Sequence, residues 1–413
     1  MKKTFLQKAK RRLTDTLRKF IKKNYFYKPC GIYYTSREFV NSTRFKGSEY
    51  VEVYPELTTS LSVPEELYQA LSSFANYDSP SHGKESTLTV KNNYAVLSIP
   101  HGRLYTNNID TVAVITPDNR LVADMSFQYN ISRLTQPHEN KIFELAYFDK
   151  PTYYKGTVFN MLAGGGAVHN YGHWLLDSYS RLHLLKESGW FDKVDWFLVP
   201  NYVFDYQRDS LALLGIDASK VIVGYNHLHL QTDNLITCSH PRGMRSILVP
   251  DWMPLFYRNT ILPLVSSKKE YPRYIYISRR DSRLRTVTNE DEVMDVLRPM
   301  GFESFELSKL SFEEKIALFA NAEVIVSASG AGLNNLFFAQ KGAKLLEVFS
   351  ESFVHPIYYN IARSIGLDYE FLICKSPKKA DNMKKGLTDN ITVDIQELKT
   401  RLNRLTSKVK AVA

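Results

Sequence analysis

A chain of 413 residues is too long for one ordinary core, so two domains are expected, and its 44% hydrophobic and 13% aromatic content excludes disorder over most of the length. Three scattered cysteines, Cys30, Cys238 and Cys374, form neither a disulfide nor a metal-ligand pattern, which points to a reducing compartment. The net charge of +10 is local: residues 1–28 hold eleven Lys and Arg against Asp15 alone, so the remainder sums to zero and a nucleic-acid-binding body is excluded.

Within residues 1–28, Leu6, Ala9, Leu13, Leu17, Phe20 and Ile21 recur at three- and four-residue steps among the basic side chains. The spacing predicts a basic amphipathic helix, without the continuous apolar run of a signal peptide or membrane span. It can pack on its own domain or dock on an anionic membrane. The second reading leads to a cytoplasmic protein held peripherally at the inner face of the membrane.

Residues 29–250 are expected to form an N-terminal α/β domain. Tyr94–Ile99, Thr111–Ile115 and Leu121–Met125 read as strands, with a turn at Asp118-Asn119-Arg120. From residue 151 strands alternate with helices: Thr157–Leu162, then a glycine run and a helix, Trp196–Pro200, a helix over Asp205–Leu214, and short strands at Val221–Val223 and Asn234–Thr237. That alternation predicts a mainly parallel sheet. Five prolines between 241 and 272 suggest the interdomain crossing, placed at 251–272.

Residues 273–375 repeat the pattern as a Rossmann-like unit. Strands are expected at Tyr274–Ser278, Phe305–Leu307, Glu323–Ser327 and Lys344–Phe349. Asn289 is expected to cap a helix running to Met300, Ser311 to open a capping-box helix, and Leu333–Gln340 to be helical. Residues 376–413 read as a polar tail ending in a helix over Asp394–Lys408.

Three stretches carry candidate chemistry. After Gly164-Gly165-Gly166, the residues His169, His173, Asp177 and Arg181 stand at i, i+4 steps, which places neighbours on one helix face. The row can be a site or an ordinary ion-paired helix. Ser278-Arg279-Arg280-Asp281-Ser282-Arg283-Leu284-Arg285 leaves a strand end, where guanidinium groups can meet phosphate. Ser329-Gly330-Ala331-Gly332 lies between strand and helix, where small residues and free N–H groups suit a diphosphate, and Glu347 can hold ribose hydroxyls.

Taken together these blocks resemble the family 61 glycosyltransferases, including bacterial capsular-polysaccharide enzymes. The matching residues are His173-Trp174-Leu175-Leu176-Asp177 with Arg181, Ile277-Ser278-Arg279-Arg280 with Asn289-Glu290, and Gly330-Ala331-Gly332-Leu333-Asn334-Asn335-Leu336-Phe337-Phe338 with Gly342 and Glu347. The resemblance covers roughly residues 155–365. It departs at Ser329, where the family has His.

The resemblance implies a GT-B architecture of two Rossmann-like domains facing across a cleft. It also implies inverting transfer from a nucleotide sugar, expected to be a UDP-sugar, to a glycan or glycolipid acceptor in surface-polysaccharide or lipopolysaccharide synthesis. His173 and Asp177 become the catalytic pair. Arg279, Arg280, Arg285, Ser329, Gly330, Ala331, Gly332, Asn335 and Glu347 become donor-binding, and Asn170 and Arg181 acceptor-binding. No Asp-x-Asp triplet is present, so no metal or other cofactor is expected. Two rivals stand beside it: a non-catalytic nucleotide- or glycan-binding protein, and a metal-dependent hydrolase using His169, His173 and Asp177.

Overall fold

The computed structural model describes residues 27–407 except 43–46, 72–86, 107–110, 129–135, 146–147, 165, 226–227, 244–247, 267–268 and 377–378. The helix expected over 1–28 therefore lies outside the described residues, apart from its last two positions. Among the described residues no helix is long and apolar enough to cross a membrane.

Two sheets organise the chain. The larger has eleven strands among the described residues: β1 (Gly31–Tyr33), β2 (Glu49–Ser62), β3 (Thr87–Pro100), β4 (Arg103–Thr106), β5 (Thr111–Ile115), β6 (Arg120–Val122), β7 (Phe127–Gln128), β8 (Thr152–Asn160), β9 (Trp196–Val199), β10 (Val221–Val223) and β11 (Leu228–Cys238). Its order is β1-β6-β5-β4-β11-β8-β9-β10. The four strands β11, β8, β9 and β10 run parallel, as the strand–helix alternation predicts. The rest is chiefly antiparallel, so the sheet is mixed rather than mainly parallel. The reason lies in β11, eleven residues long rather than the short strand expected. Its first half pairs antiparallel with β4 and its second half with β3.

The smaller sheet is wholly parallel, in the order β13-β12-β14-β15-β16, with β12 (Tyr274–Ile277), β13 (Glu303–Phe305), β14 (Val324–Ala328), β15 (Lys344–Ser350) and β16 (Asp368–Cys374). Its strands are short apolar runs because helices cover both faces. Helix Phe312–Asn321 starts as expected: Ser311 Oγ accepts from Glu314 N and Glu314 Oε2 accepts from Ser311 N. Helix Ile395–Ser407 turns Leu398, Leu402 and Leu405 into the same core. The chain leaves β12 toward β13 on one side and continues to β14 on the other. The strand order therefore reverses between β12 and β14, where open α/β sheets bind ligands.

Two helices differ from expectation. Asn289 does not cap helix Glu290–Leu297; its side chain instead accepts from Val393 N and donates to Val393 O. The segment after Gly330 is a 3₁₀ helix, Ala331–Phe338. Asn334 and Asn335 donate their side-chain amides to Ala331 O and Gly332 O, carbonyls that an α-helix would use for its own N–H groups.

The sheets share one core. Helix Trp252–Phe256 and its π-helical continuation Tyr257–Ile261 lie between them. The Tyr257 ring stacks on Phe337 at 4.6 Å and its hydroxyl donates to Leu175 O at 2.7 Å. A second bridge is the β2–β3 ribbon. At its far end Leu61, Val63, Leu67 and Leu88 pack against Phe349, Val354, Tyr359 and Phe371 beside the smaller sheet. Tyr359 Oη donates to Ser62 O, and Arg401 joins Glu66 to Glu370.

Candidate active site

The i, i+4 row is not one continuous helix. The first turn, Gly166–His169, stops at Asn170, whose extended backbone caps a second start by accepting from Gly172 N and His173 N. Tyr171–His173 then widens into a π-helix over Trp174–Tyr179 before α-helix Arg181–Glu187. Such widened turns are frequent at functional sites. The break sends His169 elsewhere, to the Tyr225 hydroxyl at 3.3 Å and the edge of Phe204. His173 and Asp177 stay together, Nδ1 to Oδ2 at 2.7 Å.

Asp177 is buried, and Arg242 grips it through two bonds, Nε to Oδ1 and Nη2 to Oδ2, each 2.7 Å. Burial alone would raise the carboxyl. The Arg242 guanidinium and His173 outweigh burial and hold it well below the usual carboxylate range. An ionised Asp177 at Nδ1 fixes the imidazole proton there and leaves Nε2 with the lone pair. Gly166 makes room for the ring, since a Cβ there would lie 2.7 Å from His173 Cγ.

Arg181 does not brace the Asp177 carboxylate. It is buried and donates to the main-chain oxygens of Asp177 and Cys238, so it is not presented to an acceptor. Asn170 is occupied as the helix cap. Arg242 was not among the sequence candidates, because it arrives from the loop after β11, 65 residues away, and no spacing rule links such positions. His240, from the same loop, also joins the site: it stacks on Phe127, its Nδ1 is buried without a partner among the described residues, and burial pushes it down to about 3.

The glycine turn stands directly against this helix start. A Cβ on Gly172 would lie 2.6 Å from Asn334 Nδ2 and 3.5 Å from the Ala331 methyl. Tyr171 Oη donates to Asn335 Oδ1 at 2.6 Å, so Asn335 ties the two sheets together. A Cβ on Gly330 would overlap the Arg279 guanidinium, and one on Gly332 would lie 2.6 Å from Leu307. The turn at the end of β14 and the arginine at the end of β12 thus meet at the reversal point.

The arginines divide. Arg279 and Arg285 are largely buried, and burial lowers both, Arg285 to about 10. Arg285 takes a left-handed φ of 51° and donates Nε–H to Ser329 O. Arg280 turns away to Glu290 and Asp291. Glu290 itself accepts from Ser278 Oγ and Arg279 N, bracing the strand end. Glu347, expected to hold ribose hydroxyls, is not open to solvent. It is fully buried on β15 and accepts from Tyr369 Oη at 2.8 Å, and burial pushes its carboxyl up to about 8.

The three residues of the metal reading are not gathered as one ligand set. His169 is diverted, both Asp177 oxygens are engaged, and no group of three His, Cys, Asp or Glu suited to a metal occurs among the described residues.

A histidine with an ionised aspartate behind it, set against a phosphate-suited turn between parallel strands, is an arrangement with the groups that group transfer needs. Residues 171–346 match the family model Glycosyltransferase 61, so this stretch of the chain is similar to that family. It is 22% identical over 264 residues to the Mus musculus EGF domain-specific O-linked N-acetylglucosamine transferase, taking in 58% of this chain and 47% of that protein. The chain thus spans about half the length of that relative.

Proposed function

We propose that the chain is an inverting glycosyltransferase of GT-B arrangement that moves a sugar from a UDP-sugar to a hydroxyl of a surface polysaccharide or lipid-linked glycan, as in capsular-polysaccharide synthesis. The observation that carries it is the His173–Asp177–Arg242 chain placed against the Gly330–Asn334 turn. Donor binds the smaller sheet at the β12–β14 reversal and acceptor lies over residues 155–185.

In this reading His173 Nε2 takes the proton of the acceptor hydroxyl as that oxygen attacks the anomeric carbon. The bond from that carbon to the donor diphosphate breaks with its electrons on the diphosphate, and the configuration inverts. Asp177, pinned by Arg242, orients the ring and stabilises the imidazolium that forms. Arg279, Arg285 and the N–H groups of the Ala331–Phe338 turn stabilise the departing charge. Residues 1–28, with their ten net positive charges, hold the enzyme peripherally on the cytoplasmic face of the membrane.

The name of the mouse relative makes UDP-N-acetylglucosamine the first donor to try. The test is hydrolysis or transfer from a panel of nucleotide sugars with wild type, His173→Ala and Asp177→Asn. Both variants are expected to lose turnover while retaining donor binding. Full activity in either removes that residue from the mechanism, and nucleotide binding with no turnover in wild type supports a binding protein instead.

A further inference from the structure

Ser329 follows β14 where the strand meets the glycine turn, and three unsatisfied groups surround it. His355 Nδ1, Glu347 Oε1 and Arg285 Nη1 lack hydrogen-bond partners among the described residues. Their side chains are all deeply buried: His355 is 5% exposed, Glu347 0% and Arg285 9%. A buried polar atom without a partner costs about 1–3 kcal/mol. Three around one residue mark a place that a polar ligand completes.

The contacts around Ser329 place His355 and Arg285 beside one another. Arg285 Nε–H donates to the Ser329 carbonyl at 3.3 Å, and Ser329 Oγ lies 3.3 Å from His355 Nε2. The imidazole is held between Phe353 and Tyr358, each at 5.3 Å. Burial, reinforced by Arg285, pushes it down to about 3, so it is neutral. A neutral ring donates from one nitrogen and accepts at the other. The Ser329–His355 contact fits either tautomer, and in the one where the Ser329 hydroxyl donates to Nε2 the ring proton sits on Nδ1, the atom without a partner among the described residues.

We propose that His355 is a donor-binding residue whose Nδ1–H, in the tautomer that accepts from Ser329 at Nε2, donates to a diphosphate oxygen of the nucleotide sugar beside Arg285. The inference rests on the reading of the glycine turn as the donor site. His355 lies beyond residues 171–346, so the family match does not assign it.

The experiment titrates the full chain with UDP, uridine and inorganic pyrophosphate by calorimetry. His355→Ala is expected to weaken UDP and pyrophosphate alike by roughly tenfold or more, the worth of one hydrogen bond to a charged group. His355→Asn, which keeps an amide near the Nδ1 position, restores much of the loss. His355→Gln, whose amide reaches the Nε2 position, does not. A purely packing role would lower the melting temperature of both without separating their affinities. In wild type labelled with ¹⁵N-histidine, UDP is expected to shift the His355 Nδ1 resonance, a readout independent of any variant.

UDP binding that is lost in Arg279→Ala but unchanged in His355→Ala overturns this inference alone. Indistinguishable Asn and Gln variants do the same. If wild type, titrated with GDP and ADP as well, binds none of UDP, GDP, ADP or pyrophosphate, the donor-site reading falls and this inference with it.

Discussion

Replacing Arg242 by Gln isolates what the sequence concealed. The substitution leaves Asp177 buried with His173 as its remaining side-chain hydrogen-bond partner. Both members of the pair are nearly inaccessible, with side chains 9% and 5% exposed, so solvent screening gives little relief. Removing one partner of a buried pair costs about 3–5 kcal/mol. The pH dependence carries the sign. In wild type the Asp177 carboxyl is depressed, so its contribution is present above the ordinary aspartate value and disappears as pH falls through the depressed one. Without Arg242, burial dominates and the folded carboxyl rises above its unfolded value. The variant then loses stability as pH climbs from about 4. Its deficit is expected to be greatest near pH 7 and to shrink toward pH 4, measured by urea unfolding at several pH values. Asp177→Asn in the same background should recover part of the loss. A deficit independent of pH, or single and double variants that add within about 0.5 kcal/mol, refutes the pairing argument.

Gly166→Ala pushes a methyl into the His173 ring and is expected to cut turnover at least a hundredfold with only a small change in melting temperature; wild-type rates would show that the ring's position is immaterial. Glu347→Gln should match wild type in stability near pH 4. It should gain on wild type between about pH 4.5 and 8, where the buried wild-type acid stays protonated while the unfolded chain ionises, and then level off; parallel unfolding midpoints across that range would count against a raised Glu347. Transfer is expected to persist in excess EDTA, since Arg279 and Arg285 face the leaving group; activity lost to the chelator and restored by Mg²⁺ or Mn²⁺ would contradict that assignment.

Local signals were the readable ones. The Ser311–Glu314 capping box, the apolar runs of β5, β12, β14 and β15, and the turn at Asn119 all appear in the structure as their chemistry dictates. The i, i+4 spacing of His173 and Asp177 also held, because it falls within one stretch of helix. The same spacing misled at His169, where Asn170 intervenes as a cap, and at Arg181, where burial turns the guanidinium to main-chain oxygens. Arg242 and the β2–β3 ribbon were illegible for a shared reason. Each acts through contacts between distant parts of the chain, and β2 shows an irregular, largely exposed pattern along most of its length. Glu347 reads in the sequence as a group that holds ribose hydroxyls, because sequence cannot show that it is fully buried beneath Tyr369 of the next strand.

The ribbon also sets a schedule for the newborn chain. Tyr359 and Ser62 bond across 297 residues of sequence. At ribosomal rates of about 5–20 residues per second, the apolar end of the ribbon waits on the order of 15–60 seconds for the strands that cover it. Leu61, Val63, Leu67 and Leu88 stay uncovered for that interval, when misassociation with other chains competes with folding. Charged substitutions there should reduce the yield of folded protein during synthesis more than they accelerate unfolding of the finished molecule.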